Sequence, residues 1–242
     1  MNKILDGKEL AKKIKEKLKL EVIELKEKGI KPKLAVIMVG DNSSSQIYVK
    51  NKSKACKNVD IEFEEFLFPE DFSEEELLKI IEKLNNNNNI NGILLQSPVP
   101  KHININKAFS AISPKKDVDG FNPVNVGNLS MGEDCFISCT PYGIMKLIEE
   151  YNIEIEGKNA VILGRSNIVG KPMLQCLLNK NATVTICHSK TKDIEKITRN
   201  ADIIISAIGK ANFVKEDMVK TGAVVIDVGI NRLEDGKIAR RC

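Results

Sequence analysis

One segment in the second half of the chain constrains the fold most: Ala160-Val-Ile-Leu-Gly-Arg-Ser-Asn-Ile-Val-Gly-Lys-Pro172. Its apolar start is typical of a buried strand, and Pro172 suits the first turn of a helix. The glycine-bracketed loop between them predicts backbone N–H groups and a helix N-terminus that face an anion. Because a second strand pattern, 183–187, follows at about the distance of one βαβ unit, the segment predicts a dinucleotide-binding fold.

The residues around the second predicted strand indicate which dinucleotide would bind. NAD sites place an Asp or Glu about 20 residues after the glycines, on the ribose 2′-hydroxyl. Here no acidic residue lies between Glu156 and Asp193, and the strand pattern ends in His188-Ser-Lys190. A cationic, hydroxyl-bearing pocket suits a 2′-phosphate, so the pattern favours NADP. Ser166 replaces the second glycine of the usual G-x-G-x-x-G, and a helix start without a ligand is the alternative interpretation.

Composition excludes several classes of protein. The 242 residues are 42% hydrophobic and 29% charged, with a net charge of +4, as in a soluble globular protein. The basic residues form no Arg-rich stripe and there is no Trp, so we expect no nucleic-acid binding. No apolar run approaches the roughly 20 residues of a membrane span, so we expect no membrane partner.

The cysteines and histidines give little support for a metal site. Six cysteines form no Cys-x-x-Cys pair, and the chain holds only two histidines, so we expect no bound metal. Cys135 and Cys139 are close enough in sequence to form a disulfide. Free thiols in a reducing cytoplasm are the preferred interpretation, and we expect a cytoplasmic protein.

Strand and helix patterns alternate along the chain, which predicts parallel sheets covered by helices. The segment 113–141 is rich in Pro, Gly, Asn and Asp, and we interpret it as the passage between two α/β domains. We expect domains over 1–139 and 140–242, the second Rossmann-like, with a cleft between them. Asn85 to Asn89 is expected to be a solvated loop. In residues 8–111 the predicted elements are helices over 8–28, 43–58, 73–84 and 105–111 and strands over 34–39, 62–67 and 92–96.

Polar side chains with catalytic potential collect in the first predicted domain. Tyr48 and Lys52 stand at i and i+4 of a helix that the serines at 43–45 can cap, so they share a face. Gln96 ends a predicted strand, where ligands of open α/β sheets bind. Asp117-Val-Asp119 could bind a metal ion or an amino-bearing heterocycle. The alternative interpretation gives these residues no role in catalysis: Lys52 is then a surface lysine, Tyr48 packs against its neighbours and the two aspartates form a turn.

Seven motifs occur in one order along essentially the entire chain. Together they resemble the family of bifunctional methylenetetrahydrofolate dehydrogenase/methenyltetrahydrofolate cyclohydrolases. The resemblance implies that NADP⁺ oxidises 5,10-methylenetetrahydrofolate and that water then converts the methenyl product to 10-formyltetrahydrofolate, in one-carbon metabolism and purine biosynthesis. The motifs are Tyr48-Val-Lys-Asn-Lys52, Gly92-Ile-Leu-Leu-Gln-Ser-Pro-Val-Pro100, Pro114-Lys-Lys-Asp-Val-Asp-Gly120, Cys139-Thr-Pro-Tyr-Gly143, Gly164-Arg-Ser-Asn-Ile-Val-Gly-Lys-Pro172, His188-Ser-Lys-Thr191 and Val225-Ile-Asp-Val-Gly-Ile-Asn231.

The resemblance implies roles for residues of the first, catalytic and folate-binding domain. Lys52 would mediate proton transfer and water attack in the cyclohydrolase step. Gln96 would hydrogen-bond and orient Lys52, while Tyr48 would line the pocket and pack on the folate. Asp119 would accept hydrogen bonds from the amino and ring N–H groups of the pterin.

The resemblance also assigns residues of the second domain to NADP. Gly164, Arg165 and Ser166 would surround the phosphates, and Arg165 with Ser189 would hold the 2′-phosphate. The backbone of Ile230 would touch the nicotinamide end. Members of the family usually form homodimers through this domain, and we expect the same here.

One departure from the family pattern concerns the C-terminus. Family members typically continue for several tens of residues beyond the point corresponding to Cys242, through a loop that helps to close the folate site and a final helix. We therefore expect a chain that lacks this segment, and the alternative function is a truncated NADP-binding chain with impaired or no folate turnover. A dehydrogenase for another small substrate, such as shikimate or an amino acid, would not explain Tyr48, Lys52 and Gln96.

Overall fold

A computed structural model describes residues 4–229, 231–232 and 238–239 of the protein. The chain divides into two units, residues 1–125 and 126–242, each with parallel strands and covering helices. Within the described ranges, no helix has both the length and the apolar character needed to span a membrane.

The first unit is a three-stranded parallel sheet in which β1 (Lys33–Val39) lies between β2 (Glu62–Phe68) and β3 (Gly92–Leu95), and helices surround it. The central strand β1 is fully buried from Ala35 to Val39, as its continuous apolar run predicts for a parallel sheet. Every element predicted in residues 8–111 is present, with ends that shift by at most two residues. The elements are α1 (Gly7–Glu27), β1 (Lys33–Val39), α2 (Ser43–Asn58), β2 (Glu62–Phe68), α3 (Glu74–Asn86), β3 (Gly92–Leu95) and α4 (Ile105–Ala111).

Helix α5 (Pro123–Met131) lies inside the segment that the sequence presents as an aperiodic passage, so that part of the prediction is wrong. The Asn, Gly and Ser residues of α5 interrupt its apolar residues, so the sequence shows no helical hydrophobic repeat. The start signal is nevertheless present, because the Asn122 side chain accepts a hydrogen bond from the Val124 N–H at 2.8 Å and Pro123 opens the helix.

The second unit contains a four-stranded parallel sheet, as expected for a Rossmann-like domain. Its strands lie in the order β5 (Thr183–Cys187), β4 (Asn159–Leu163), β6 (Ile203–Ser206) and β7 (Val224–Asp227). The strand patterns at 159–163 and 183–187 are confirmed as β4 and β5. A short antiparallel pair follows the sheet. The elements are α6 (Cys139–Glu150), β4 (Asn159–Leu163), α7 (Gly170–Leu178), β5 (Thr183–Cys187), α8 (Ile194–Thr198), β6 (Ile203–Ser206), a 3₁₀ turn (Glu216–Met218), β7 (Val224–Asp227), β8 (Asn231–Arg232) and β9 (Ile238–Ala239).

Residues 126–139 are assigned to the first domain by the sequence pattern, whereas by packing they fall in the second unit. One contact of this segment is the hydrogen bond that the Asn179 amide donates to the Leu129 carbonyl at 2.8 Å. The boundary between residues 139 and 140 stays a prediction.

The asparagine run begins with a structural residue. Asn85 lies in the last turn of α3, half-buried, and its amide donates to the Ala111 carbonyl at 2.7 Å. Its side-chain oxygen accepts from the Ser113 N–H at 2.8 Å. The prediction of a solvated loop is therefore wrong at Asn85, although residues 86–89 are exposed.

Candidate active site

The first unit brings Lys52 and Gln96 together. Lys52 lies on α2, and Gln96 directly follows β3 at the C-terminal end of the sheet. The Lys52 Nζ atom lies 3.0 Å from Gln96 Oε1, and both residues are half-buried. An ammonium group that donates to an amide oxygen forms a charge-assisted hydrogen bond, which holds the cation in one position. The hydrogen bond expected between these residues is thus present.

The surroundings of Gln96 fix the direction of its amide. Its backbone N–H donates to the Ile37 carbonyl at 2.8 Å, as a continuation of the sheet. Its side-chain Nε2 donates to the Ser97 carbonyl at 2.8 Å, and the buried Ser45 hydroxyl lies 3.4 Å from the same oxygen. Because the amide nitrogen is engaged, the amide oxygen points to Lys52.

Tyr48 lies one turn before Lys52 on the same face of α2, as the i, i+4 spacing predicts. The Tyr48 residue is 45% exposed. The helix begins as expected near residue 43, but its N-cap is Asn42 rather than a serine. The Asn42 side-chain oxygen accepts from the Ser45 N–H at 3.0 Å, because an Asx side chain reaches the third N–H of the helix well.

The two aspartates after α4 have different environments. Asp117 is 2% exposed, and its Oδ2 accepts hydrogen bonds from the Asn122 N–H at 2.8 Å and from Asn125 Nδ2 at 2.9 Å. Asp119 is half-buried. It is therefore the carboxylate of this pair that a ligand can reach. In the described part of the chain, no group of three or more His, Cys, Asp or Glu side chains is arranged to hold a metal ion.

The glycine loop of the second unit lies very close to neighbouring segments of the protein backbone. Gly164 has φ +117°, and a Cβ there would lie 2.7 Å from the Ala207 carbonyl oxygen. A Cβ at Gly170 would overlap the Gly164 carbonyl. Both positions therefore require glycine. The Ser166 hydroxyl accepts from the N–H groups of Val169 and Gly170 at 3.1 and 3.4 Å, so it folds the loop before α7.

Arg165 and Ser189 follow neighbouring parallel strands. Leu163 at the end of β4 is paired with Cys187 at the end of β5, so the two loops leave the same edge of the sheet. Arg165 and Ser189 are both exposed at this edge. The Ser189 turn is held by the Thr191 hydroxyl, which accepts from the His188 N–H at 2.9 Å. A basic group and a hydroxyl at this edge fit a 2′-phosphate.

Other predictions about the second unit have mixed outcomes. Ile230 lies outside the described residues, so its proposed contact with the nicotinamide stays a prediction. Cys135 and Cys139 are both free thiols, as expected. Burial raises the pKa of the Cys176 thiol to about 11, which keeps that side chain neutral.

The sequence pattern did not reveal the function of Asn122 and Asn125, which hold Asp117. The available signal was the Asn-Pro pair at residues 122–123, a helix start directly after the aspartate motif.

Comparison with known proteins identifies both halves of the chain. The catalytic-domain model of tetrahydrofolate dehydrogenase/cyclohydrolase matches residues 5–119, and the NAD(P)-binding-domain model of the same family matches residues 138–240. The bifunctional protein FolD of Campylobacter hominis is 57% identical over 235 residues, which are 97% of this chain and 83% of that protein.

Solved structures give the same assignment. The crystal structure of the bifunctional FolD enzyme of Campylobacter jejuni has a TM-score of 0.97 and 52% identity, and the match covers 98% of this chain and 84% of that one. The Trypanosoma brucei enzyme, complexed with NADP and an inhibitor, has a TM-score of 0.91 and 36% identity, with 97% and 83% covered. The chain therefore belongs to the tetrahydrofolate dehydrogenase/cyclohydrolase family.

Proposed function

We propose that this protein oxidises 5,10-methylenetetrahydrofolate with NADP⁺ and hydrolyses the methenyl product to 10-formyltetrahydrofolate. The two activities are those for which its family is named. The observation that carries the proposal is the 3.0 Å hydrogen bond between Lys52 and Gln96 at the end of β3. A paired ammonium and amide at this edge of the sheet can position a water molecule and move its proton. Neither the described residues nor the relatives favour a chain that binds NADP without folate turnover.

In the oxidation, the bridging methylene carbon of the substrate loses a hydride and becomes the methenyl cation. NADP⁺ supplies the hydride acceptor when bound. The part of this chain is to hold the dinucleotide. Arg165 and Ser189 would hold the 2′-phosphate, and the loop that Ser166 folds would lie against the other phosphates, while Gly164 and Gly170 let this loop pack closely against neighbouring backbone.

In the hydrolysis, water adds to the methenyl carbon, one proton leaves and one C–N bond of the ring opens. As the neutral amine, Lys52 accepts a proton from the attacking water, and the ammonium that results returns a proton to the ring nitrogen. Gln96 holds the Lys52 ammonium in place through its amide oxygen. Tyr48 packs on the folate, and Asp119 accepts hydrogen bonds from the pterin donors, so the substrate is oriented at both ends.

The first test is NADP⁺ reduction by the purified chain with 5,10-methylenetetrahydrofolate, beside an NAD⁺ control. We expect turnover that depends on NADP⁺. Lys52→Met should abolish the hydrolysis and leave NADP⁺ affinity nearly unchanged. Lys50→Met, which alters an exposed lysine of the same helix, is the matched control. No reduction by the unmodified chain would contradict the proposal, and equal loss of NADP⁺ binding in Lys52→Met would contradict the role of Lys52.

We also propose a cytoplasmic homodimer that associates through the second unit and has neither a nucleic-acid nor a membrane partner. The resemblance and the free thiols support this assignment. Light scattering should give about twice the 26.9 kDa mass of one chain. A mass equal to one chain at micromolar concentration would contradict the dimer.

A further inference from the structure

The loop that carries Asp119 is fixed by side chains that the proposed reaction does not use. We call residues 113–120 the aspartate loop. It leaves α4, runs beside β3 and leads to α5. Its backbone contacts the sheet where the Ile93 N–H donates to the Lys116 carbonyl at 2.7 Å, and Ile93 forms a parallel bridge with Asp117. The loop is therefore attached to the strand that ends at Gln96.

Lys116 ties the loop to the end of α3. Its Nζ atom donates to the carbonyls of Leu84 at 3.0 Å, Asn85 at 2.8 Å and Asn87 at 2.8 Å. The three N–H bonds of the ammonium thus meet three carbonyls. These carbonyls lie at the negative end of the helix dipole, which favours a cation there. The first turn of the aspartate loop is held by the same helix, through the Asn85 side chain described above.

The buried side of the loop is held by Asp117. Its Oδ2 receives the Asn122 backbone N–H and the Asn125 amide, and the same Asn125 amide nitrogen donates to the Pro114 carbonyl at 3.0 Å. The Asn122 amide in turn donates to the Ile112 carbonyl at 2.8 Å. The two asparagines, at 3% and 4% exposure, thereby connect Asp117 to the start of the aspartate loop.

Burial of the Asp117 carboxylate costs free energy, because the charged group loses its hydration. Hydrogen-bond donors to the carboxylate offset that cost. Both donors to Asp117 are neutral N–H groups that come from the residues directly after the loop. Charge-assisted bonds of this kind are short and directional, so they restrict the backbone more than an apolar side chain would.

We propose that Asp117, held by Asn122 and Asn125, is a positioning residue for Asp119. It fixes the backbone two residues before Asp119, so that the Asp119 carboxylate meets the pterin donors without rearrangement. The inference rests on the proposed role of Asp119 in folate binding. Pre-organisation of this kind increases affinity because the loop loses no further freedom when the ligand binds.

The test is a double-mutant cycle on the KM for 5,10-methylenetetrahydrofolate. Asp117→Ala should raise that KM about tenfold, as expected when one charge-assisted contact is misplaced. NADP⁺ affinity should stay unchanged. In the Asp119→Ala background, the same substitution should change the KM by less than about twofold, because its effect passes through Asp119. Effects that multiply in the double variant would overturn the inference.

Two further variants separate positioning from loss of stability. Asp117→Asn keeps the shape and can still accept from both donors, so it should fold and raise the KM less than Asp117→Ala. Ile81→Val removes one methyl group from the buried core of the same unit, on α3 rather than on the aspartate loop. It should lower Tm without changing the KM. If the KM rises in every variant in step with the fall in Tm, the inference is overturned. An unchanged KM in Asp119→Ala would overturn it too, by refuting the folate contact itself. The proposed function is judged separately, by NADP⁺ reduction in the unmodified protein.

Discussion

Removal of the Gln96 amide is the most direct perturbation of the cyclohydrolase site. Gln96→Met keeps the length of the side chain and deletes the oxygen that lies 3.0 Å from Lys52 Nζ. A hydrogen bond to a charged group contributes about 1.5–3 kcal/mol. If that contribution acts in the transition state, the hydrolysis slows by roughly 10- to 150-fold. Because both side chains are half-buried, we expect a value in the lower half of this range.

The assay follows the decay of the methenyl substrate in the absence of NADP⁺, so that hydrolysis is measured alone. Gln46→Met is the matched control, since Gln46 is an exposed glutamine of α2 whose amide donates to the Asp41 carbonyl at 3.4 Å. The control should hydrolyse the substrate at the normal rate. Equal rates for Gln96→Met and the unmodified protein would refute the argument that Gln96 orients Lys52.

Two further predictions concern the second unit. Arg165→Ala should lower kcat/KM with NADP⁺ about tenfold and leave the NAD⁺ value nearly unchanged, because only NADP⁺ carries the 2′-phosphate. Lys180→Ala is the control. Equal losses with both cofactors would refute the contact between Arg165 and the 2′-phosphate. The hydrogen bond from Lys220, together with that from the Asn159 N–H, holds the pKa of Asp202 below its ordinary 3.8. This carboxylate therefore stabilises the fold above about pH 3.8, and the stabilisation is lost as the pH falls through the lowered pKa of the folded state. The Tm difference between the unmodified protein and Asp202→Asn should therefore shrink on acidification below pH 3.8, and a difference that stays constant to pH 2 would contradict it.

The sequence predicts the central strands β1 and β4 well because each is an almost continuous apolar run. Residues 35–39 and 160–163 are buried on both faces, and that burial leaves a signal that needs no tertiary information. Helix α5 has no comparable signal, since its buried and exposed positions do not alternate in hydrophobicity. Its start depends on Asn122, whose side chain serves the helix and the aspartate loop together.

The candidate site is predictable in part. The spacing of Tyr48 and Lys52 places them on one helix face, and Gln96 ends a strand, so their proximity follows from the rule that ligands bind beyond the carboxyl ends of parallel strands. The difference between Asp117 and Asp119 does not follow from the sequence. Both stand in one short motif, and the packing of Asn122 and Asn125 decides which of them is buried.

The parallel bridge between Ile93 and Asp117 links the proposed pterin contact to the proposed catalytic pair. Gln96 comes three residues after Ile93 and Asp119 comes two residues after Asp117, so both follow the same bridged pair of backbone segments. A change that displaces this part of β3 would therefore move the aspartate loop with it. We expect such a change to raise the KM for the folate and to slow its hydrolysis together.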